Sequence, residues 1–276
     1  MTDEITKEFE FYIQGAQAAR QMTPRSNRIA RRFFKAAIAA KGDFARAHGY
    51  LSYSLLLAHL HGWNRDDVAE DNDVTLDKVL EHAQLAREHG GGDYENHWTL
   101  AAACIYSRDF STGMDAYGTA LELAASQAIP HNLSCLKVER CDALIFNGNK
   151  ADIEAAVEII LNEMNQPDFP KTHLWALGWA YYELGAFEEG EQERDYCLKS
   201  LKALLQIPNP HALIRKNIAA AYAALEWTEA ANLMTRDLRA QLPPGYRVAH
   251  ETKWPYGDDM RGDRWMRHLK AAGLPA

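Results

Sequence analysis

The sequence predicts an all-α chain made of stacked antiparallel helix pairs, and three observations carry that prediction. Apolar residues recur at helical spacing, and the strict alternation of a strand is almost absent. Glycine and proline punctuate the chain at Pro24, Gly42, Gly90-Gly91-Gly92, Pro130, Gly148, Pro167, Pro170, Gly185, Pro208, Pro210, Pro243-Pro244 and Gly257. Between these breaks lie Ala- and Leu-rich segments of about three to five turns, an ordinary helix length.

The segments also resemble one another. The clearest unit, LWALGWAYYELGAFEEGEQERDYCLKSL, puts Leu177-Gly178 and Tyr181 on a first helix and turns at Leu184–Glu189 into a second. HWTLAAACIYSRDFSTGMDAYGTALEL repeats the scheme with Leu100-Ala101 and Cys104, then Gly113, Tyr117 and Ala120. RKNIAAAYAALEWTEAANLMTRDL repeats it with Ile218-Ala219, Tyr222 and Ala231. An earlier copy places Leu51-Ser52 and Leu55 against Val79, Ala83 and Ala86, and an N-terminal half-unit shows Ala30, Phe34 and Ala37. The weakest copy, 131–165, sets Ala143 and Phe146 against Ala155 and Ile159. Small residues (Gly178, Ala101, Ala219, Ala231, Gly190) let two helices approach, and large ones (Leu100, Leu177, Ile218, Tyr117, Tyr222) fill the space beside them. One pair cannot bury its apolar face alone, so neighbours must stack.

The L-G-x-x-Y and small-x3-aromatic-x2-Ala patterns resemble tetratricopeptide repeats over about residues 8–243. The resemblance implies a single right-handed α-solenoid over 1–276, with repeats at about 8–42, 43–91, 92–127, 130–167, 170–208 and 210–243. A final helix, 258–272, caps it through Trp265, Met266 and Leu269, with Asp258 and Asp259 at its start and Gly273 and Pro275 at its stop. FARAHGYLS, HLWALGWAYYELGAFEEG, IAAAYAALEWTEAA and WPYGDDMRGDRWMRHLKAAGLPA look like the repeat tails of bacterial class III adenylate/guanylate cyclases and winged-helix regulators. Those tails are sensory or interaction modules. The sequence starts in the repeats, so the expectation is a free-standing version with no enzymatic activity.

Charge narrows the function classes. Residues 1–60 carry nine Lys/Arg against five Asp/Glu, yet the whole chain has a net charge of -8. An acidic body argues against nucleic acid as a partner. No apolar run approaches the roughly 18 residues of a membrane helix, and MTDEITKEFEF has no signal-peptide core. Cys104, Cys135, Cys141 and Cys197 form no C-x-x-C pair. The expectation is a cytoplasmic protein with reduced thiols, no cofactor and no metal.

Three other patterns have plain structural readings. His89-Gly90-Gly91-Gly92 has the letters of an oxyanion loop but no strand before it, and it reads as a helix stop. His59 and His61 stand beside Asp66 and Asp67, but residues two apart on a helix share no face. Arg28, Arg32 and Lys35 form a basic helical face that reads as solvated.

The aromatic residues point to binding. In tetratricopeptide proteins the first helices line the concave surface. Trp175 and Trp179 are one turn apart there and Tyr182 continues the stripe. Trp98 and Tyr53 take the equivalent places in earlier repeats, and Arg140 and Lys216 fall near Trp175's place in others. These seven residues predict a groove for a peptide or partner protein, with a small ligand as the alternative occupant. Trp179, Ala220 and Ala102 stand where a carboxylate clamp would need asparagines, which argues against that specificity.

Overall fold

A computed structural model describes residues 6–63, 74–127, 130–166, 169–240, 242, 245–249, 254–256 and 259–276. Among them the chain is all-α, with thirteen α-helices and no strand. None of these helices is long and apolar enough to cross a membrane. The chain divides into two compact units, Met1–Ala128 and Ile129–Ala276.

The N-terminal unit contains three hairpins: α1 (Lys7–Ala19) with α2 (Pro24–Ala40), α3 (Ala45–His61) with α4 (Leu76–His89), and α5 (Tyr94–Tyr106) with α6 (Phe110–Ser126). The sequence explains their starts. Thr23 and Ser26 form a reciprocal capping box before α2, with Pro24 in its first turn. Thr75, Asp93 and Asp109 accept backbone N–H bonds at the starts of α4, α5 and α6. His89-Gly90-Gly91-Gly92 is the stop of α4. There the Gly90 carbonyl accepts a bond from Asn96 and the Gly91 carbonyl meets His97. The first helices α1, α3 and α5 also touch in succession, so each contributes to a shared core and to a shared outer face.

The C-terminal unit repeats the scheme with α7 (Pro130–Asn147) and α8 (Lys150–Glu163), α9 (Leu174–Leu184) and α10 (Glu191–Leu204), and α11 (Ala212–Ala224) and α12 (Thr228–Arg239). Here α7, α9 and α11 form the row of first helices. A last helix, α13 (Asp259–Ala271), packs on α11. Asp258, expected at its start, lies outside the described residues.

Small residues do set the helix contacts, at particular places. A Cβ on Gly178 would stand 2.5 Å from Leu204 Cγ, and one on Gly113 would stand 2.6 Å from Ile105 Cδ1. Gly190 was expected to play the same part, and it does not. It has open space around it and φ +63°, so it serves a left-handed turn before α10. The register expected for α8 also shifts. Ala155 and Ile159 are exposed, and the buried face is Ile153, Ala156, Val157 and Ile160. The spacing 0, 3, 4, 7 is the core stripe of a helix, and Ala155 and Ile159 sit off that stripe.

Candidate functional site

The seven residues expected to line one groove fall in both units, and their surroundings differ. In the C-terminal unit the groove face of α9 is covered by the chain's own last segment. Trp179 is 2% exposed, and its ring lies 4.9 Å from Trp254 and 5.5 Å from Trp265. The Tyr182 hydroxyl shares a 2.6 Å hydrogen bond with His268 Nδ1, and the Arg264 guanidinium sits 4.4 Å over its ring. Lys216 is buried with its ammonium 4.7 Å over Tyr246. Trp179, Tyr182 and Lys216 are therefore not open to a partner, contrary to the expectation from spacing. Trp175 is half-buried, edge-on to Trp179 at 6.0 Å, and Arg140 is exposed.

The covering segment is held by buried polar groups. Arg261, 1% exposed, donates to the Ile145 and Phe146 carbonyls at 2.6 Å each. Those carbonyls belong to the last turn of α7, which has no helical donors of its own, and a cation also suits the negative end of the helix dipole. Arg264 does the same for α9 through the Tyr182 carbonyl at 3.0 Å, and pairs with Glu193 at 2.9 Å. Glu183 accepts from the Trp179 indole and the Tyr256 hydroxyl, both at 3.0 Å. Burial raises its carboxyl to about 7, against the pull of Arg261 and Arg264. These ties join α13 to α7 and α9, so the capping helix reaches beyond the last hairpin.

A second polar cluster links α7 to the turn 171–173. His173 Nε2 lies 3.5 Å from Glu139, and Asp142, one turn further along α7, is buried. Burial opposes charge on His173, but its partners Cys135 and Glu139 outweigh that and raise it to about 10. The contact ties the turn to α7. Cys104, Cys141 and Cys197 are buried and free, and burial raises each thiol. Among the described residues, no group of three or more His, Cys, Asp or Glu is placed to hold a metal ion. His59 and His61 end α3, while Asp66 and Asp67 lie outside the described residues.

Tyr53 and Trp98 have a different setting. Their rings meet at 5.1 Å and form one wall of a cavity of about 270 Å³ in the N-terminal unit. Tyr50 and Trp63 complete an aromatic lining, with Ala16, Ala19, Met22 and Leu57 between them. The walls thus come from α1, α3, α5 and the first turn of α2. Four polar residues join them: Arg20, Asn27, Ser54 and Thr99. Asn27 donates to the Ser54 carbonyl at 2.9 Å and accepts from Arg31 at 3.1 Å. That bond, with the burial of Arg31, sets Arg31 apart from the exposed Arg32 and Lys35 of the basic face of α2. Thr99 donates to the Asn96 carbonyl. The Ser54 hydroxyl makes no hydrogen bond among the described residues, although the residue is 2% exposed. Tyr53 and Trp98 were both expected on the aromatic stripe, at the repeat positions of Trp179 and Trp175, but their ring contact was not foreseen. The rest of the lining was not legible, because Ala16, Ala19 and Ser54 carry no functional signature.

No protein-family model matches the sequence, and no curated protein matches it.

Proposed function

We propose that the chain is a non-catalytic binding module of tetratricopeptide-type helix pairs, stacked as a right-handed α-solenoid, and that it binds a small ligand in the cavity of its N-terminal unit. The succession α1–α3–α5, and α7–α9–α11 in the other unit, supports the stacked-repeat reading. The observation that carries the binding reading is the aromatic cavity itself. Four rings enclose about 270 Å³, close to the lower end of the roughly 300–1,000 Å³ of small-molecule sites. Aromatic walls with a few placed polar groups are how such sites gain area and orientation together.

This shifts the weight from an open peptide groove to a small ligand. A groove needs a continuous exposed stripe, and its C-terminal part, Trp179 and Tyr182, is occupied by the chain's own tail. A peptide presenting one large side chain to the cavity is the second reading, favoured by Met22, 40% exposed at the cavity wall. The buried thiols fit a cytoplasmic setting.

The test fills the cavity. Ala19 is half-buried in the last turn of α1 and faces the space, so Ala19→Trp occupies it without touching the cores of the hairpins. Calorimetric titration with 2-naphthamide, a neutral two-ring probe, is expected to show binding to the native protein and at least about tenfold weaker binding to the variant. Equal affinity for both, with both folded by circular dichroism, places the binding site elsewhere.

A further inference from the structure

We infer that the cavity of the N-terminal unit selects a small aromatic carboxylate, with Arg20 pairing the carboxylate at the mouth and the Ser54 hydroxyl orienting the group inside. The inference rests on the binding reading above and adds the chemical class of the ligand.

Among the described residues Arg20 is the sole charged one of the lining, and it is exposed at the C-terminal end of α1. Its guanidinium makes no hydrogen bond or ion pair among the described residues. Asp93 pairs with Arg46 at 3.0 Å, and Glu95, behind Tyr50, has its carboxyl raised by burial and by Asp93. Tyr50 is half-buried beside Tyr12, the rings 5.4 Å apart, and burial holds its hydroxyl protonated. Among the described residues, no carboxylate pairs with Arg20. An unpaired guanidinium at the edge of an aromatic box offers two parallel donors in a plane, the geometry a carboxylate matches.

Ser54 supplies a second polar group. Its hydroxyl makes no hydrogen bond to the described residues and is not sealed from solvent, so a polar atom of a ligand can reach it. It stands among rings, where a flat molecule would stack, so a polar atom of that molecule can meet it. The first turn of α2 adds to the bias. It contributes Asn27 to the wall, carries no acidic residue, and presents the positive end of its dipole.

The chemistry separates this class from its neighbours. An aromatic amine would set its charge against Arg20. A neutral ring would leave the guanidinium unused. A phosphate would favour the same arginine, but its dianion is strongly hydrated and ill suited to four rings.

The experiment compares isosteres by calorimetry: 2-naphthoate, 2-naphthamide and 2-aminomethylnaphthalene, titrated into the native full chain, Arg20→Gln, Ser54→Ala and Lys35→Gln. In the native protein the carboxylate is expected to bind on the order of tenfold more tightly than the amide, as a charge-assisted bond at a partly solvated site allows. The amine should bind weakest. In Arg20→Gln the gap between acid and amide closes. In Ser54→Ala both weaken, and in Lys35→Gln the gap stays. Equal binding of acid and amide to the native protein overturns the carboxylate assignment and leaves the cavity reading standing. A gap that survives in Arg20→Gln, or closes in Lys35→Gln, places the anion on the basic face of α2 and overturns the role of Arg20. If no probe binds the native protein, the cavity reading falls and this inference falls with it.

Discussion

Gly178 offers the sharpest test of how these helix pairs are held together. It sits in the middle of α9, where glycine costs about 0.8–1.0 kcal/mol relative to alanine. On propensity alone, Gly178→Ala should stabilise. The structure says otherwise, because the new methyl would stand 2.5 and 2.6 Å from Leu204 Cγ and Cδ2. Leu204 is fully buried on α10. Overpacking of this kind costs about 1–3 kcal/mol, so after the propensity gain the net is a loss of up to about 2 kcal/mol. For a unit of about 150 residues that lowers Tm by up to about 8 °C. Gly118 in α6 is the internal control. It has nothing within 4 Å, so Gly118→Ala should gain up to about 1 kcal/mol. Urea unfolding followed by circular dichroism measures both. Leu204→Ala alone should cost about 2–5 kcal/mol, and in the double variant the methyl enters the vacated space. The pair should therefore be less damaging than the sum by about 0.5–3 kcal/mol. If Gly178→Ala stabilises as Gly118→Ala does, or if the two losses simply add, close approach at Gly178 is not what packs α9 on α10.

Two further outcomes follow from buried charge. Arg261→Met should destabilise the C-terminal unit by about 3–5 kcal/mol, since it strands Glu183 and the last carbonyls of α7; a loss below about 1 kcal/mol in urea would mean that the ties do not hold the tail. His82 shares a 3.0 Å bond with His48, and burial, then the His48 charge, lower it to about 4. The unfolded ring takes up its proton near 6.5, so the folded state loses stability as pH falls from about 6.5 toward 4, by up to about 1.4 kcal/mol per pH unit before solvent screening reduces it. His82→Gln should flatten that part of the stability–pH profile, and parallel native and variant profiles would remove His82 as its source.

The helices were legible because their signals are local. The Thr23–Ser26 and Asn149–Asp152 boxes, the asparagine and aspartate caps and the glycine stops are written within four residues of where they act. The small-residue contacts at Gly178 and Gly113 were legible for the same reason, since a glycine inside an Ala- and Leu-rich helix has few other causes. Gly190 was misread because a glycine near a helix start serves a turn as readily as a contact, and only its φ of +63° decides. Ala155 and Ile159 were misread because α8 carries apolar residues on both sides of its stripe.

The site was less legible, and the reason is physical. An aromatic stripe on a first helix has the same sequence spacing whether it faces a ligand, a neighbouring helix or the chain's own tail. For Trp179 and Tyr182 the discriminating signal lay some eighty residues away, in Arg261 and Arg264. Two arginines one turn apart on a helix that also carries Trp265 and Leu269 cannot all face solvent, and arginine is the residue best suited to cap a helix terminus inside a protein. Reading those arginines as inward would have closed the C-terminal groove in advance. The same logic runs in the opposite direction at Arg20. It too stands at the end of a first helix beside aromatic rings, but among the described residues no carbonyl or carboxylate meets its guanidinium. On the proposed reading, Arg261 and Arg264 serve the tail and Arg20 serves a ligand.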